Sequence, residues 1–360
     1  MITAQTCFSP ILSDVKRIAL GLALALLVLV PSGAAALPKG AKVKSYVGGL
    51  SAAVDIAWVP GTSKIFFTQQ GGKVGVINKG RQLGRACRQL DVDSSGERGA
   101  LGIVAHPRFR KNHLLYVYYT NATPHENRIT RFKVRKNRCR NPKHIVTGIP
   151  TPASIHNGGQ IDIVNGKLFV ATGDGGNAAN AQNQSTRLGK VLRYNLDGTV
   201  PNDNPFGPTN SVWSYGHRNG FGITHNPRTE RIYQTENGPE CDDELNLIRK
   251  GRNYGWGSGY DCGDPVGPNP RDPLERWTPT IVPTDPWWYF GKMKALSGSL
   301  YMGDYGTGRL HRFVMNRKGT RVRSDRIIYN SSSAIVDVSK GPRGWLYFLT
   351  RSTLFRIVKN

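Results

Sequence analysis

Apolar and polar positions alternate along most of the chain with the two-residue period of β-strands, and no long segment has the period of an amphipathic helix. One unit recurs: a short strand rich in β-branched and aromatic residues, a turn containing glycine, and a second strand. The six copies read "KIFFTQQGGKVGVI", "HLLYVYYT…NRITRFKV", "KLFVATGDGG…GKVLRYNL", "RIYQTENGP…DELNLI", "SLYMGDYGTGRLHRFV" and "WLYFLTRSTLFRIV". They are spaced at roughly 45 to 70 residues, which is typical of propeller blades.

This repeat predicts an all-β fold, a six-bladed β-propeller with four-stranded antiparallel blades. Each blade of a propeller buries its faces against its neighbours, and the closed ring leaves only short edges. A two-sheet sandwich is the alternative. Loops rich in Gly, Pro, Asn and charge separate the strands, for example 151–160, 174–189 and 236–243. Such loops, held on a rigid ring, are expected to form the functional site.

The N-terminus has the three parts of a secretory signal. Lys16 and Arg17 precede the apolar run 18–30, and small residues lead up to Ala36. We therefore predict a signal peptide over 1–36 and a single propeller domain over 37–360. A retained anchor helix is the alternative, but the run is shorter than the roughly 20 residues that span a bilayer. The expected location is periplasmic or extracellular, with no transmembrane segment after signal removal.

Cysteine usage agrees with export. Cys7 lies in the predicted signal, which leaves an even number of cysteines in an oxidising compartment, so disulfides are the expected state. Cys87, Cys139, Cys241 and Cys262 are spaced too irregularly for a zinc site. Three pairings are possible, and sequence alone does not choose among them. We favour Cys241 with Cys262 because the intervening loop is short.

The chain is strongly basic, with 49 Lys and Arg against 24 Asp and Glu and a formal net charge of +25. Such an excess attracts polyanions. The basic residues are scattered, as in "RFKVRKNRCRNPKH", and do not lie on one helical face. We therefore expect loose binding to an anionic glycan or envelope surface and no nucleic-acid site.

Candidate chemistry lies in "TPASIHNGGQIDIVNGKLFVATGDGG". His156 occupies a loop flanked by glycines, and Asp174 lies in the acidic turn after the next strand. Neutral imidazole, with an ordinary pKa of about 6.5, is suited to act as a general base near neutral pH, and a carboxylate can orient it. A purely structural histidine is the alternative interpretation.

Several motifs together resemble a known family. They are "GALGIVAHPRF", "HNGGQI", "LFVATGDGG", "LGKVLRYNLDGTVPNDNPF", "WSYGHRNGFGI" and "ENGPECDDELNLIRKGRNYGWG". In this order and spacing the chain resembles the soluble glucose/sorbosone dehydrogenases, quinoprotein sugar dehydrogenases of the aldose sugar dehydrogenase type that use pyrroloquinoline quinone (PQQ) and calcium. The resemblance implies a six-bladed propeller with PQQ in its channel and a sugar as substrate.

The matching positions imply roles for individual residues. His156 falls on the family's base, which takes the substrate hydroxyl proton, and Asp174 on the carboxylate that orients this base. Arg218 and Asn219, in "GHRNGFG", fall on residues that contact the quinone. A guanidinium fork is suited to carboxylate and quinone oxygens.

The resemblance also implies a calcium site. Gly238 and Pro239, in "ENGPE", match calcium ligands that bind through main-chain carbonyls, which calcium accepts readily. One nearby motif departs from the family: "GERGALG" has Glu97 where Gln is usual. A carboxylate at this position would face an anionic cofactor.

Basic residues of the family are missing from the last two repeats. The replacing residues are Phe290, Ala334 and Val336. Each lost charge-assisted hydrogen bond is worth roughly 1.5–3 kcal/mol, so we expect weaker PQQ anchoring unless other cations compensate. The cations considered are Arg309, Lys292 and Arg343.

Two other functions stay open at this point. The first is a non-enzymatic propeller of the same family that binds a glycan or a protein partner, which the missing cations and the high charge favour. The second is a calcium-dependent lactonase, which would need carboxylates lining the channel. Glu97, Asp174 and Glu236 are the candidates for that role.

Overall fold

The computed structural model describes residues 35–360. The predicted signal peptide, residues 1–36, therefore lies outside the described residues except for its last two positions. From residue 35 onward, no helix has the length and apolar character needed to cross a bilayer. The helical elements of this part are α1 (Phe109–Asn112), α2 (Ala179–Gln182) and a 3-10 turn (Pro342–Gly344).

The strands form antiparallel blades arranged in a ring, as predicted, and the sandwich alternative is wrong. After β1 (Ala41–Val47), the first blade contains β2 (Ala53–Trp58), β3 (Lys64–Gln69), β4 (Lys73–Asn78), β5 (Arg81–Gln82) and β6 (Arg88–Gln89). The second contains β7 (Ala100–Ala105), β8 (Leu114–Asn121), β9 (Glu126–Arg135) and β10 (Arg138–Ile149). The third contains β11 (Ile161–Val164), β12 (Lys167–Ala171), β13 (Lys190–Asn195) and β14 (Val212–Tyr215).

Three further blades complete the ring. The fourth contains β15 (Gly220–His225), β16 (Ile232–Glu236), β17 (Asp243–Ile248) and β18 (Glu275–Trp277). The fifth contains β19 (Pro283–Tyr289), β20 (Ser299–Asp304), β21 (Arg309–Met315) and β22 (Val322–Asn330). The sixth contains β23 (Ile335–Lys340), β24 (Leu346–Thr350) and β25 (Leu354–Lys359), with β1 as its outermost strand. A parallel bridge between Asp285 and Asp337 joins the fifth and sixth blades into one eight-stranded sheet.

The sixth blade joins the two ends of the described chain. Strand β1 pairs antiparallel with β25, so that Ala41 lies opposite Lys359. This pairing ties the start of the propeller to its end, and the ring can open only if these backbone hydrogen bonds break. The six sequence repeats correspond to the second and third strands of each blade.

Disulfides bind loops to the blades in two places. Cys241 pairs with Cys262, which confirms the favoured pairing, and Cys87 pairs with Cys139. The first bond holds the turn after β16 against the long loop before β18. The second holds the segment around β6 against the start of β10 and so connects the first two blades.

The innermost strands line a central channel, and four of them carry a buried aspartate. These residues are Asp55, Asp162, Asp285 and Asp337. Three of the carboxylates accept main-chain N–H groups from the neighbouring blade: Asp337 from Ile56 at 3.0 Å, Asp55 from Ile103 at 2.7 Å and Asp285 from Ile223 at 2.9 Å. At these three junctions, side-chain carboxylates therefore link neighbouring blades through main-chain N–H groups.

Two cavities open at opposite ends of the inner strands. The upper cavity, about 400 Å³, lies where these strands begin, near Val54 and Phe221. The lower cavity, about 380 Å³, lies where they end, near Trp58 and Trp287, and the channel aspartates line it. The aspartates therefore belong to the lower end of the channel.

Three of the channel aspartates share a small volume. Carboxyl oxygens of Asp55, Asp285 and Asp337 lie within 4.8 Å of one another. Burial raises the pKa of all three groups, that of Asp337 to about 7. Repulsion from Asp337 raises the pKa of Asp55 and Asp285 further. The folded protein therefore holds protons here that the unfolded chain releases.

This arrangement predicts a pH-dependent gain from Asp337→Asn. A raised carboxyl pKa costs no stability below the unfolded value of about 3.9; the cost grows from there to about pH 7 and is complete above it. The amide retains an oxygen acceptor for the Ile56 N–H, so thermal unfolding should shift upward by roughly 2 °C or more at pH 8. The gain at pH 5 should be smaller. An equal shift at both pH values, or a loss of stability at pH 8, would contradict this explanation.

Candidate active site

The upper cavity is built from two kinds of loop: those that precede the inner strands, and the turns that join the second and third strands of a blade. Its polar lining includes Glu97, Asn219, Asn237, Tyr305 and Arg351. These residues are far apart in the sequence and belong to several blades, because successive blades bring equivalent loops to the same end of the channel. The cavity is therefore the place where the predicted site residues can meet.

His156 lies beside this cavity, on the loop between β10 and β11. Its φ of 53° is left-handed, which is uncommon for residues other than glycine. The main chain is held at both ends: His156 N–H donates to Glu97 Oε2 at 2.7 Å, and its carbonyl accepts from Gly175 N–H at 3.1 Å. A Cβ at Gly173 would lie 2.0 Å from the same carbonyl oxygen, so a glycine is needed there. The surrounding structure thus fixes the position of His156.

The predicted contact between His156 and Asp174 is present. His156 Nδ1 lies 2.7 Å from Asp174 Oδ1, and the aspartate is buried with 1% of its side chain exposed. The carboxylate also accepts Gly176 N–H and the Trp256 indole N–H, both at 2.8 Å. Asp174 is therefore held by three donors and fixes the ring of His156 so that Nε2 is left for another partner.

Arg218 lies between β14 and β15, close to Asp174 and to other carboxylates. Its Nη1 donates to the Asn237 carbonyl at 2.8 Å, and the guanidinium lies 5.4 Å from the centre of the Trp256 ring. Burial lowers the pKa of Arg218, and nearby carboxylates oppose this effect. These are Asp174, Glu236, Glu97 and Asp243. The guanidinium is thus a partly desolvated cation with four carboxylates nearby.

Asn219 and Glu97 hold the histidine loop together. Asn219 Oδ1 accepts Gly158 N–H at 3.2 Å, and its Nδ2 donates to Glu97 Oε2 at 3.1 Å. The same Glu97 oxygen binds His156 N–H. Glu97 therefore has a structural role that sequence did not reveal: one side-chain oxygen accepts from two donors and connects the loops that carry His156 and Asn219.

The predicted calcium loop is held in place by its neighbours. Gly238 N–H donates to Asp243 Oδ1 at 2.8 Å, and a Cβ on Gly238 would lie 1.9 Å from the Cys241 carbonyl oxygen. Pro239 is exposed, and the disulfide of Cys241 with Cys262 follows directly. This loop continues from Asn237 of the upper cavity, so its main-chain carbonyls belong to an ordered segment next to the site.

The apolar replacements do not form a group around the upper cavity. Phe290 lines the lower cavity, at the other end of the channel. Val336 is 2% exposed and packs in the core with Ala53 and Leu349. Ala334 is half-buried in the loop before β23. A lysine in place of Phe290 would enter the lower cavity, and an arginine in place of Val336 would enter the packed core. These two replacements therefore do not remove a charge from the lining of the upper cavity.

Another cation lies at the upper cavity instead. Arg351, on the turn between β24 and β25, lines the cavity and donates to Gln70 Oε1 at 2.7 Å. Arg309, Lys292 and Arg343 are absent from its described lining. Sequence reasoning missed Arg351 because it lies in the turn of the last repeat, and only ring closure brings it to the channel.

Comparison with known proteins agrees with this geometry. The family model described as Glucose / Sorbosone dehydrogenase matches residues 50–359, nearly the whole described propeller. The chain is 31% identical over 349 residues to the uncharacterized protein slr1608 of Synechocystis, covering 86% of this chain and 84% of the relative. It is 27% identical over 332 residues to aldose sugar dehydrogenase YliI of Escherichia coli, covering 84% and 88%.

A solved structure gives the same result. The PQQ-bound form of aldose sugar dehydrogenase from Streptomyces coelicolor superposes with a TM-score of 0.77 at 27% identity, covering 89% of this chain and 99% of that chain. The similarity to this solved structure thus also confirms the predicted fold class. The chain belongs to the glucose/sorbosone dehydrogenase family, a family of oxidoreductases, as its motifs predicted.

Proposed function

We propose that the protein is an exported sugar dehydrogenase that uses PQQ and calcium, with His156 as the base that takes the proton of an aldose-type hydroxyl. The observation that carries this proposal is the 2.7 Å contact between His156 Nδ1 and Asp174 Oδ1, beside a cavity that also has arginine groups nearby. The activities named for the Escherichia coli and Streptomyces coelicolor relatives support the substrate class and the cofactor.

The histidine pair supports a defined proton path. Because Nδ1 faces Asp174, the substrate hydroxyl would give its proton to His156 Nε2. Asp174 would then stabilise the resulting imidazolium, and its bonds to Gly176 and Trp256 would keep it from rotating away. This arrangement positions the base before the substrate arrives and leaves little reorganisation for the reaction itself.

Two buried atoms next to the upper cavity fit a polar ligand. Arg218 Nε and Asn237 Oδ1 have no hydrogen-bond partner within residues 35–360, whereas buried polar atoms are normally paired. Arg218, beside the cavity, and Arg351, in its lining, would hold the anionic oxygens of PQQ, and Asn219 would offer a further polar contact from the lining. When bound, PQQ would supply the acceptor for the hydride of the sugar.

Calcium would be held through oxygen atoms of the adjoining loop. The main-chain carbonyls of Gly238 and Pro239 are the proposed ligands, and Asn237 Oδ1 offers a further oxygen on the same segment. Calcium accepts neutral carbonyl and amide oxygens. The Gly238 bond to Asp243 and the neighbouring disulfide keep this loop in one conformation.

The rim of the site fits a sugar. Within residues 35–360, the exposed large hydrophobic side chains are Ile155, 46% exposed, and Tyr305, 43% exposed. Ile155 directly precedes His156, and Tyr305 lines the upper cavity. An apolar ring or side chain at a polar site can pack against the C–H face of a sugar while the hydroxyls of the sugar bind polar groups.

Two disulfides and the signal-like N-terminus support export.

The lactonase alternative receives less support from the geometry. Asp174 is occupied by His156, Gly176 and Trp256. Glu236 binds His217 Nδ1 at 2.8 Å and Arg218 N–H at 2.5 Å. Glu97 holds two further donors. The three carboxylates considered for that activity already serve as acceptors inside the protein.

Reconstitution tests the proposed function. Purified protein incubated with PQQ and millimolar calcium should reduce an artificial dye when given aldoses, and omission of either component should abolish the reaction. The same mixture should raise the melting temperature, since a ligand at about 100 times its dissociation constant contributes roughly 2.7 kcal/mol. If the mixture produces no dye reduction and no melting shift, the proposal is refuted and the binding-propeller alternative is favoured.

A further inference from the structure

The hairpin of β9 and β10 gathers basic residues that look scattered in the sequence. In the observed register, cations face cations across the two strands. The pairs are Arg131 with Lys143, Lys133 with Arg140, and Arg135 with Arg138. Side chains directly opposite each other in an antiparallel pair project from the same face, and like charges at such positions are destabilising.

The opposite face of the hairpin explains the direction of these cations. Phe132 and Val134 alternate with the basic residues of β9 and are buried against the blade. The basic residues must then project to the other face of the strand, toward the third blade, because successive side chains of a strand point to opposite faces. There Arg131 Nη1 donates to the Leu196 carbonyl at 3.3 Å. Arg135, Arg140 and Lys143 are accordingly exposed. We call this set of six cations the basic face.

Two further arginines extend the basic face. The disulfide of Cys87 with Cys139 brings the segment around β6 against the start of β10, where the Cys139 N–H donates to the Cys87 carbonyl at 3.0 Å. Arg85 and Arg88 thereby approach Arg138. Desolvation, and then repulsion from Arg85, Arg140 and Arg88, lower the pKa of Arg138.

The protein supplies little counter-charge to this surface. Within residues 35–360, none of these eight cations forms an ion pair within 4.0 Å. One carboxylate, that of Asp197, lies near Arg131. Hydrogen bonds from Thr199 lower the pKa of Asp197 most, and Arg131 adds a smaller effect in the same direction. Main-chain carbonyls of Leu196 and Ala86 accept from Arg131 and Arg138, and the remaining repulsion is left to solvent or to an external anion.

The chemistry of the face selects among anionic partners. Most of its cations are arginines, whose planar forks bind carboxylates and phosphates in bidentate fashion. Cations two residues apart on a strand are spaced by about 6.8 Å, which suits a linear chain with repeated charges. The exposed large hydrophobics of the described chain, Ile155 and Tyr305, are not on this hairpin, so nothing here would insert into a lipid surface.

We propose that the basic face of β9 and β10, extended by Arg85 and Arg88, binds an acidic polysaccharide through the carboxylates of its sugar units. The face is formed by the outer strands of the second blade and does not include the residues of the upper cavity. Binding here holds the propeller on an anionic matrix and does not require the dehydrogenase activity.

A charge-matched pair of variants tests the proposal. Arg135→Ala/Arg140→Ala/Lys143→Ala removes three exposed cations from the basic face. Arg317→Ala/Lys318→Ala/Arg321→Ala removes three exposed cations from the turn between β21 and β22. Affinity for polygalacturonate oligosaccharides, measured by calorimetry at about 50 mM salt, should fall roughly tenfold or more for the first variant and less than threefold for the second. The first variant should also keep or raise its melting temperature, because it relieves like-charge repulsion.

The other outcomes overturn the proposal. Equal losses in both variants would mean that binding follows net charge alone. If the wild-type protein does not bind polygalacturonate but binds phosphatidylglycerol vesicles, and this binding depends on the basic face, the partner is a membrane surface instead. No binding to either probe would show that the face has no polyanionic partner of these two kinds. Dye reduction by the reconstituted protein should be unchanged in both variants, which separates this test from that of the proposed function.

Discussion

Replacing His156 by alanine should reduce the turnover of the reconstituted protein by roughly 10² to 10⁴, the range expected for a positioned general base. The variant keeps its main-chain bonds to Glu97 and Gly175, which do not involve the imidazole. Folding and PQQ affinity should therefore change little. The imidazole is needed when the substrate proton leaves, whereas the groups proposed to anchor the cofactor act before any sugar arrives.

Two companion variants make this prediction specific. His144→Ala is the matched control, because His144 is exposed on β10 and contacts Thr130 away from the upper cavity; its turnover should equal that of the wild type. Asp174→Asn should lose turnover as well, since an amide cannot stabilise the imidazolium as the carboxylate does. If His156→Ala unfolds more easily but keeps its activity per folded molecule, the histidine is structural and the proposed mechanism is wrong.

The second large effect is expected at Arg218. Arg218→Ala removes the half-buried guanidinium, whose buried Nε lacks a partner within residues 35–360, and one charge-assisted hydrogen bond is worth roughly 1.5–3 kcal/mol. The dissociation constant for PQQ should rise roughly ten- to hundredfold, while turnover at saturating PQQ should fall much less. Equilibrium titration of PQQ, followed by intrinsic fluorescence, measures this directly.

Arg228→Ala provides the control for Arg218. Arg228 lies 4.1 Å from the centre of the Phe290 ring, and Phe290 lines the lower cavity, so the same charge is removed at the far end of the channel. Its PQQ affinity should match that of the wild type. Similar losses in both variants would mean that PQQ responds to overall charge, and an unchanged affinity in Arg218→Ala would remove Arg218 from the proposed binding site.

The fold was predictable to the extent that local pattern determines it. The paired strands of each repeat have a strong period-two pattern, and they became the second and third strands of the blades. The pairing of β1 with β25 was not visible, because it joins segments more than three hundred residues apart. The channel aspartates were missed for a similar reason: Asp55 and Asp337 read as isolated polar residues within apolar strands, and only ring closure brings them together.

The candidate site was likewise predictable only where its residues lie close together in the sequence or in a recognised motif. His156 and Asp174 were predicted as a pair because they are close in the sequence and fall on motifs of the family; the structure has two strands, β11 and β12, between them. The fixing of Asp174 by Trp256 joins residues 82 positions apart and has no local signature, although Trp256 lies in the "NYGWG" end of a recognised motif. The connecting role of Glu97 depends on contacts with two distant loops. Sequence identified the chemical groups, and the ring determined what each one contacts.

The most direct test of the central claim is a crystal structure of the protein soaked with PQQ and calcium. We predict PQQ density in the upper cavity, in contact with Arg218 and on the same side as His156, with a calcium ion on the carbonyls of Gly238 and Pro239. PQQ bound elsewhere on the propeller, or an upper cavity that holds no PQQ at millimolar concentration, would contradict the proposed site.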